Sequence, residues 1–180
     1  VLMCVGTTKK ILFLGWIMFF LWNLLDGVDG NVARYKKLFS KMGSVYDAMS
    51  GYAAMVLSFF GWGVAAAHNT SILSNYIVIP KDTYIILGAL SGIFVIFPRL
   101  IMHKALTTLG DPDAMNSVKD KSEYGFIRLV ALNLTSIAGF VQVIMLLAII
   151  FDLLDLFVIG YFLINLLVML VSLRNIYMNK

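Results

Sequence analysis

Long apolar runs alternate with short polar ones along this chain, and the apolar runs reach membrane-crossing length. Roughly 20 helical residues cross a bilayer core, with some slack for tilt. Five stretches meet that length, at approximately 9–34, 42–67, 82–106, 124–151 and 154–176. The pattern predicts an all-α integral membrane protein, a polytopic helix bundle. The opening VLMCVG is apolar but too short to cross, and no basic segment precedes it as in a secretory signal. It reads as the tail of a membrane helix whose start is missing, so that residues 1–180 form one N-terminally incomplete transmembrane domain. No internal repeat or low-complexity tract divides the chain.

Composition supports this reading. The chain is 61% hydrophobic and only 13% charged, whereas soluble domains carry roughly 25% charged residues. A soluble globular domain is excluded on that ground. The single Cys4 forms no internal disulfide and leaves the redox compartment unread. Of the 14 Lys and Arg residues, eleven fall on one side of the predicted spans: Arg34, Lys36, Lys37, Lys41, Arg99, Lys104, Lys119, Lys121, Arg128, Arg174 and Lys180. Only Lys9, Lys10 and Lys81 fall on the other. An excess of basic residues marks the cytoplasmic side. The longest polar connection, 107–123, belongs to that side and reads equally well as a cover for a site or as a solvated linker.

Against this apolar background the run DGVDGNVARYKKLFSKMGSVYD, residues 26–47, stores acid where acid is expensive. A charged side chain costs about 2.5–3.5 kcal/mol at mid-bilayer and less towards the interface. At 3.6 residues per turn, Asp26, Asp29, Gly30 and Ala33 share one helix face with Arg34 at its margin. Gly43, Asp47 and Gly51 share a face of the next span. The short polar connection makes the two helices antiparallel neighbours with these faces opposed. Two carboxylates about 5 Å apart repel by roughly 3 kcal/mol at an effective dielectric of 20. Asp26, Asp29 and Asp47 together therefore point to a divalent cation, and an all-oxygen set suits Mg²⁺, Mn²⁺ or Ca²⁺ rather than zinc. Gly30, Ala33 and Gly43 make a nearly side-chain-free floor for a flat ligand, and Arg34 beside it can grip a phosphate. Small-residue packing between membrane helices is the simpler alternative for the glycines.

These residues resemble the motif of the CDP-alcohol phosphotransferase family, D-x-x-D-G-x-x-A-R, about eight residues, then G-x-x-x-D-x-x-x-D. The match is Asp26, Asp29, Gly30, Ala33, Arg34, an eight-residue gap, Gly43 and Asp47. The resemblance implies six membrane helices, with the motif between the second and third. It implies that Asp26, Asp29 and Asp47 bind Mg²⁺ or Mn²⁺, that Gly30, Ala33 and Gly43 receive the cytidine, and that Arg34 contacts phosphate. The implied reaction, a part of phospholipid biosynthesis, moves a phosphatidyl or other substituted phosphoryl group from a CDP-linked donor such as CDP-diacylglycerol to an alcohol, releasing CMP. Implied partners are that donor, a small or phosphorylated alcohol and membrane lipid; a homodimer is allowed, and nucleic acid is not expected.

One position departs from the family. Its last aspartate, thought to act as general base and second-metal ligand, falls at Gly51. General-base assistance is typically worth 10²–10⁴ in rate. By sidedness, Glu123, Asp113 and His103 are the candidate replacements. A slow or single-metal enzyme, or a non-catalytic relative that still binds nucleotide, are the other readings. On the acceptor side, Arg99 and Arg128 resemble a pocket for a phosphorylated alcohol, with interfacial anchoring by snorkelling as the alternative. An ion transporter would also use intramembrane carboxylates, but near the midplane of repeated, broken helices. Here the acids cluster at one end beside an arginine, and nothing mirrors them.

Overall fold

Every regular element among the residues described by the computed structural model is a helix. Those residues are 2–37, 40–69, 71–73, 76–109, 133–134, 136 and 139–178. The helices are α1 (Leu2–Val5), α2 (Lys9–Tyr35), α3 (Lys41–His68), α4 (Lys81–Leu109), α5 (Phe140–Ile150) and α6 (Leu154–Met178). Four of them, α2, α3, α4 and α6, are long and apolar enough to cross a membrane. This is the polytopic bundle that the hydropathy pattern predicts.

Length places the acidic motif. The 27 residues of α2 extend about 40 Å at 1.5 Å per residue, against roughly 30 Å of hydrocarbon. Its uncharged stretch from Ile11 to Leu25 accounts for only about 22 Å of that length, and the helix continues unbroken through Asp26 to Tyr35. Lys37 then adopts a left-handed conformation (φ 54°) that ends the run.

Of the fourth predicted span, 124–151, residues 124–132, 135, 137 and 138 lie outside the described residues, and α5 covers its last part, Phe140–Ile150. Before it the Ser136 N–H donates to the Asn133 carbonyl and the Gly139 N–H to the Ser136 carbonyl, two successive turns. A Cβ on Gly139 would stand 2.5 Å from the Asn133 oxygen, so the turn needs glycine there. Hydropathy runs through this turn without a mark.

The buried core gathers away from the motif. Trp62 and Leu12 are 1% exposed, and Phe59, Phe157, Tyr161, Met145 and Val141 close around them. Edge-to-face contacts join Trp62 to Phe19, Phe59 and Phe157. The most extensive helix pair is α3–α4, followed by α4–α6. At the α3–α4 crossing, backbone meets backbone: a Cβ on Gly63 would lie 2.5 Å from the Tyr84 carbonyl, and one on Gly88 2.6 Å from the Phe59 carbonyl. Without a hydrophobic drive between helices in lipid, such close approach supplies the packing energy. Between α4 and α6 a buried Asn165 amide donates to the Ser91 hydroxyl at 2.7 Å.

The non-motif end is tied further by polar contacts. The buried Asp155 carboxylate accepts from the Leu73 N–H at 2.8 Å and the Leu156 N–H at 2.7 Å, fixing the α3–α4 connection to the start of α6. The Asn69 amide donates to the Gly6 and Ala65 carbonyls. Lys9 pairs with Asp152 at 2.6 Å. In contrast α2 and α3 barely touch outside the Phe19–Trp62 contact. The facing ends of α2 and α3 thus flank a cleft.

Candidate functional site

Ser40 determines where α3 begins. Its backbone is extended (φ −118°, ψ 144°), and its Oγ accepts the Gly43 N–H at 2.8 Å, an N-cap bond. From that start, Asp47 lies one turn past Gly43 and faces the cleft. On the other wall the last turns of α2 present Asp26, Asp29, Gly30, Ala33 and Arg34.

Between the walls lies a cavity of about 730 Å³ lined by Asp26, Gly27, Asp29, Gly30, Ala33, Arg34, Ser40, Gly43, Tyr46, Asp47 and Ser50. It gathers all seven motif positions, from residues up to 21 apart in sequence, onto one surface. Asp26 is half-buried, while Asp29 and Asp47 are exposed. Asp26 lies within electrostatic range of Asp47 across the cleft and of Asp29 along its own helix. Among the described residues, however, no three acidic, His or Cys side chains are drawn close enough to hold an ion as they stand. The three carboxylates share the cavity without forming a tight cluster. In type they fit a hard divalent cation: among the described residues the cavity is lined by carboxylates and hydroxyls, with no Cys or His.

Arg34 lines the cavity beside Gly30. Its Nη2 donates to the Asn31 Oδ1 at 2.8 Å, and the guanidinium folds back over Gly30, 3.6 Å from where a Cβ would stand. Part of the side-chain-free floor is therefore covered by Arg34 itself.

The structure does not bring Arg99 to this cavity. It sits half-buried on α4, within electrostatic range of Tyr52. The reason is the glycine-mediated crossing: α4 packs against the face of α3 that carries Val56, Phe59 and Gly63, in register with Tyr52 and turned from Asp47. Arg128, Asp113 and Glu123 lie outside the described residues, and of His103 only the backbone, within α4, is described. At Gly51 an added Cβ would meet nothing within 4 Å.

Sequence reasoning missed Ser40, Tyr46 and Ser50. Serine three residues before Gly43 at a helix start is a capping signal, and Ser50 follows Asp47 by i+3 on the same face. Ser50 Oγ donates to the Asp47 carbonyl at 3.0 Å. It also lines a second, apolar cavity of about 460 Å³, walled by α1, α2 and α3 through Met3, Met18, Phe19, Trp22, Leu57 and Trp62. Polar and apolar cavities thus adjoin at Ser50.

No match was found among curated proteins, and none among solved structures. The family model described as CDP-alcohol phosphatidyltransferase matches residues 1–173, nearly the whole chain and all of the cavity just described. With that extent of match, and with the seven motif positions lining one cleft at the end of two apolar helices, the chain belongs to the CDP-alcohol phosphatidyltransferase family.

Proposed function

We propose that the cleft between α2 and α3 binds a CDP-linked lipid and that the protein transfers its phosphatidyl group to an alcohol, releasing CMP. The observation that carries this reading is the gathering of Asp26, Asp29, Gly30, Ala33, Arg34, Gly43 and Asp47 around one cavity. In this reading Asp26, Asp29 and Asp47 hold Mg²⁺ or Mn²⁺, which when bound supplies charge neutralisation for a diphosphate. Arg34, released from Asn31, offers its planar fork to a phosphate oxygen. Gly30, Ala33 and Gly43 leave room for the cytidine.

The adjoining apolar cavity supports a lipid-linked donor over a soluble one. A diphosphate seated among the aspartates would direct its lipid past Ser50 towards Trp22 and Leu57. The alcohol oxygen attacks the phosphatidyl phosphorus, the bond from that phosphorus to the oxygen of CMP breaks, and the hydroxyl proton passes to a base. Glu123, Asp113 and His103 are the proposed bases, and Arg99 and Arg128 the proposed acceptor contacts. In this reading the site faces the cytoplasm, a side supported by the bias of basic residues in the sequence.

The test is CMP release from CDP-diacylglycerol by the purified protein with Mg²⁺ or Mn²⁺, across serine, glycerol phosphate, inositol phosphate and phosphatidylglycerol as acceptors. Release with one acceptor, abolished by Asp26→Asn, supports the reading. Gly51 favours a second reading, a relative that binds the nucleotide without turnover, since no side chain occupies the usual aspartate's position. Metal-dependent CDP binding with no CMP release from any acceptor would select it.

A further inference from the structure

We propose that the connection between α3 and α4 is a lipid anchor, with Tyr76, Ile77 and Val78 seated in the membrane surface opposite the motif end. The two spans it joins end at His68 and restart at Lys81. The connection therefore lies at the level where both helices leave the apolar layer. Its exposed side chains are nonetheless apolar: Tyr76 is 81% exposed, Ile77 54% and Val78 95%. Left in water, they would forgo the transfer to an apolar phase that drives burial elsewhere in the protein. The connection is tied down at both ends. The Ile72 N–H donates to the Asp152 carbonyl at 3.0 Å and the Leu73 N–H to the Asp155 carboxylate at 2.8 Å, while Ile79 packs against the core.

The backbone sets the depth. The Tyr76 and Ile77 N–H groups both donate to the Leu73 carbonyl at 3.0 Å. Among the described residues nothing accepts the Val78 or Ile79 N–H, and Pro80 has none to give. Unpaired backbone is excluded from hydrocarbon. At headgroup level water and ester oxygens can bond it, while the side chains of Ile77 and Val78 reach the acyl boundary. Tyrosine and lysine favour that level, the first for its amphipathic ring and the second for its snorkelling stem, and Tyr76 and Lys81 bracket the patch. The lipid phase is already alongside: Ile86, Ile93, Phe97 and Leu100 are exposed and share one face of the membrane-crossing α4. Anchored in this way, the adjoining ends of α3 and α4 keep a set level in the bilayer. The inference is independent of what the cleft binds.

The experiment attaches an environment-sensitive nitrobenzoxadiazole label at Val78→Cys in the full chain, reconstituted into phosphatidylcholine vesicles. The background is Cys4→Ser, with Cys4→Ala as the alternative should serine unfold it. Lys10→Cys, labelled in the same way, is the reference, because Lys10 is exposed at the same end of the bundle and orientation in the vesicles affects both labels alike. Quenching is read with nitroxide-bearing lipid and with aqueous iodide. The label at position 78 is expected to emit further to the blue than the one at position 10, to lose most of its iodide quenching and to gain quenching by the nitroxide lipid. Ile77→Asp, which sets a charge beside the label, is expected to reverse all three while thermal unfolding in detergent stays unchanged. A label at position 78 as open to iodide as the reference would place the connection in water and overturn the proposal. Shielding from both quenchers would overturn it as well, by showing that protein, such as a second copy of the chain, covers the patch.

Discussion

Gly51→Asp restores the side chain that the family pattern has at this position, and the structure sets out what it should do. A Cβ there meets nothing within 4 Å, so the first atom of the new side chain enters open space. Gly to Asp within α3 gains a few tenths of a kcal/mol in helix propensity. The opposing term is charge. Residues four apart on a helix have Cβ atoms about 5–6 Å apart, so the new carboxylate repels Asp47 by about 3 kcal/mol at an effective dielectric of 20, less when salt screens it. Without divalent cation the variant should therefore be less stable than the original protein. With Mg²⁺ or Mn²⁺ the sign should reverse, because two carboxylates one turn apart become ligands rather than rivals. Thermal unfolding in chelator and in Mg²⁺ measures this directly, and the metal-induced rise in Tm should be larger in the variant. If the missing base limits turnover, CMP release should also rise, by 10² or more. An equal Tm rise in both proteins, with no gain in CMP release, would refute the argument that Gly51 leaves a site half-built.

Three other expectations follow from the packing. Gly88→Val should separate α3 from α4, because its Cβ meets the Phe59 carbonyl at 2.6 Å; a loss of about 1–3 kcal/mol is expected, and no destabilisation on unfolding in mixed micelles would contradict the close crossing. Asp155→Ala should strand the Leu73 N–H and cost about 1–3 kcal/mol, with faster proteolysis in the loop between α3 and α4 as the readout. Lys37→Gly should stabilise by up to about 1 kcal/mol, since Lys37 holds φ at 54°; an unchanged or lower Tm would show that its side chain matters more than its backbone.

The motif was legible in the chain because its spacing is a helical one. Asp26, Asp29, Gly30 and Ala33 must share a face on any helix, and the short connection to Gly43 and Asp47 brings the second face near. The long spans were legible because lipid demands length and apolarity. What sequence did not reveal depends on pairwise tertiary geometry. The contact of Gly63 with Gly88 decides which way α3 turns, and that in turn takes Arg99 to Tyr52 instead of the carboxylates. The turn at Gly139 hides within an apolar run, because the carbonyl of Asn133 demands it and hydropathy does not. The opposed motif faces stand apart for an electrostatic reason as well: three carboxylates favour a cleft over contact.

The most direct test of the central claim is equilibrium binding of CDP to the purified protein, with and without Mg²⁺, for the original sequence and for Asp47→Asn. The account predicts binding that requires the cation and weakens at least ten-fold when Asp47 loses its charge while Ser40 and Gly43 remain intact. Binding that ignores both the cation and Asp47, or no binding at all, would contradict it.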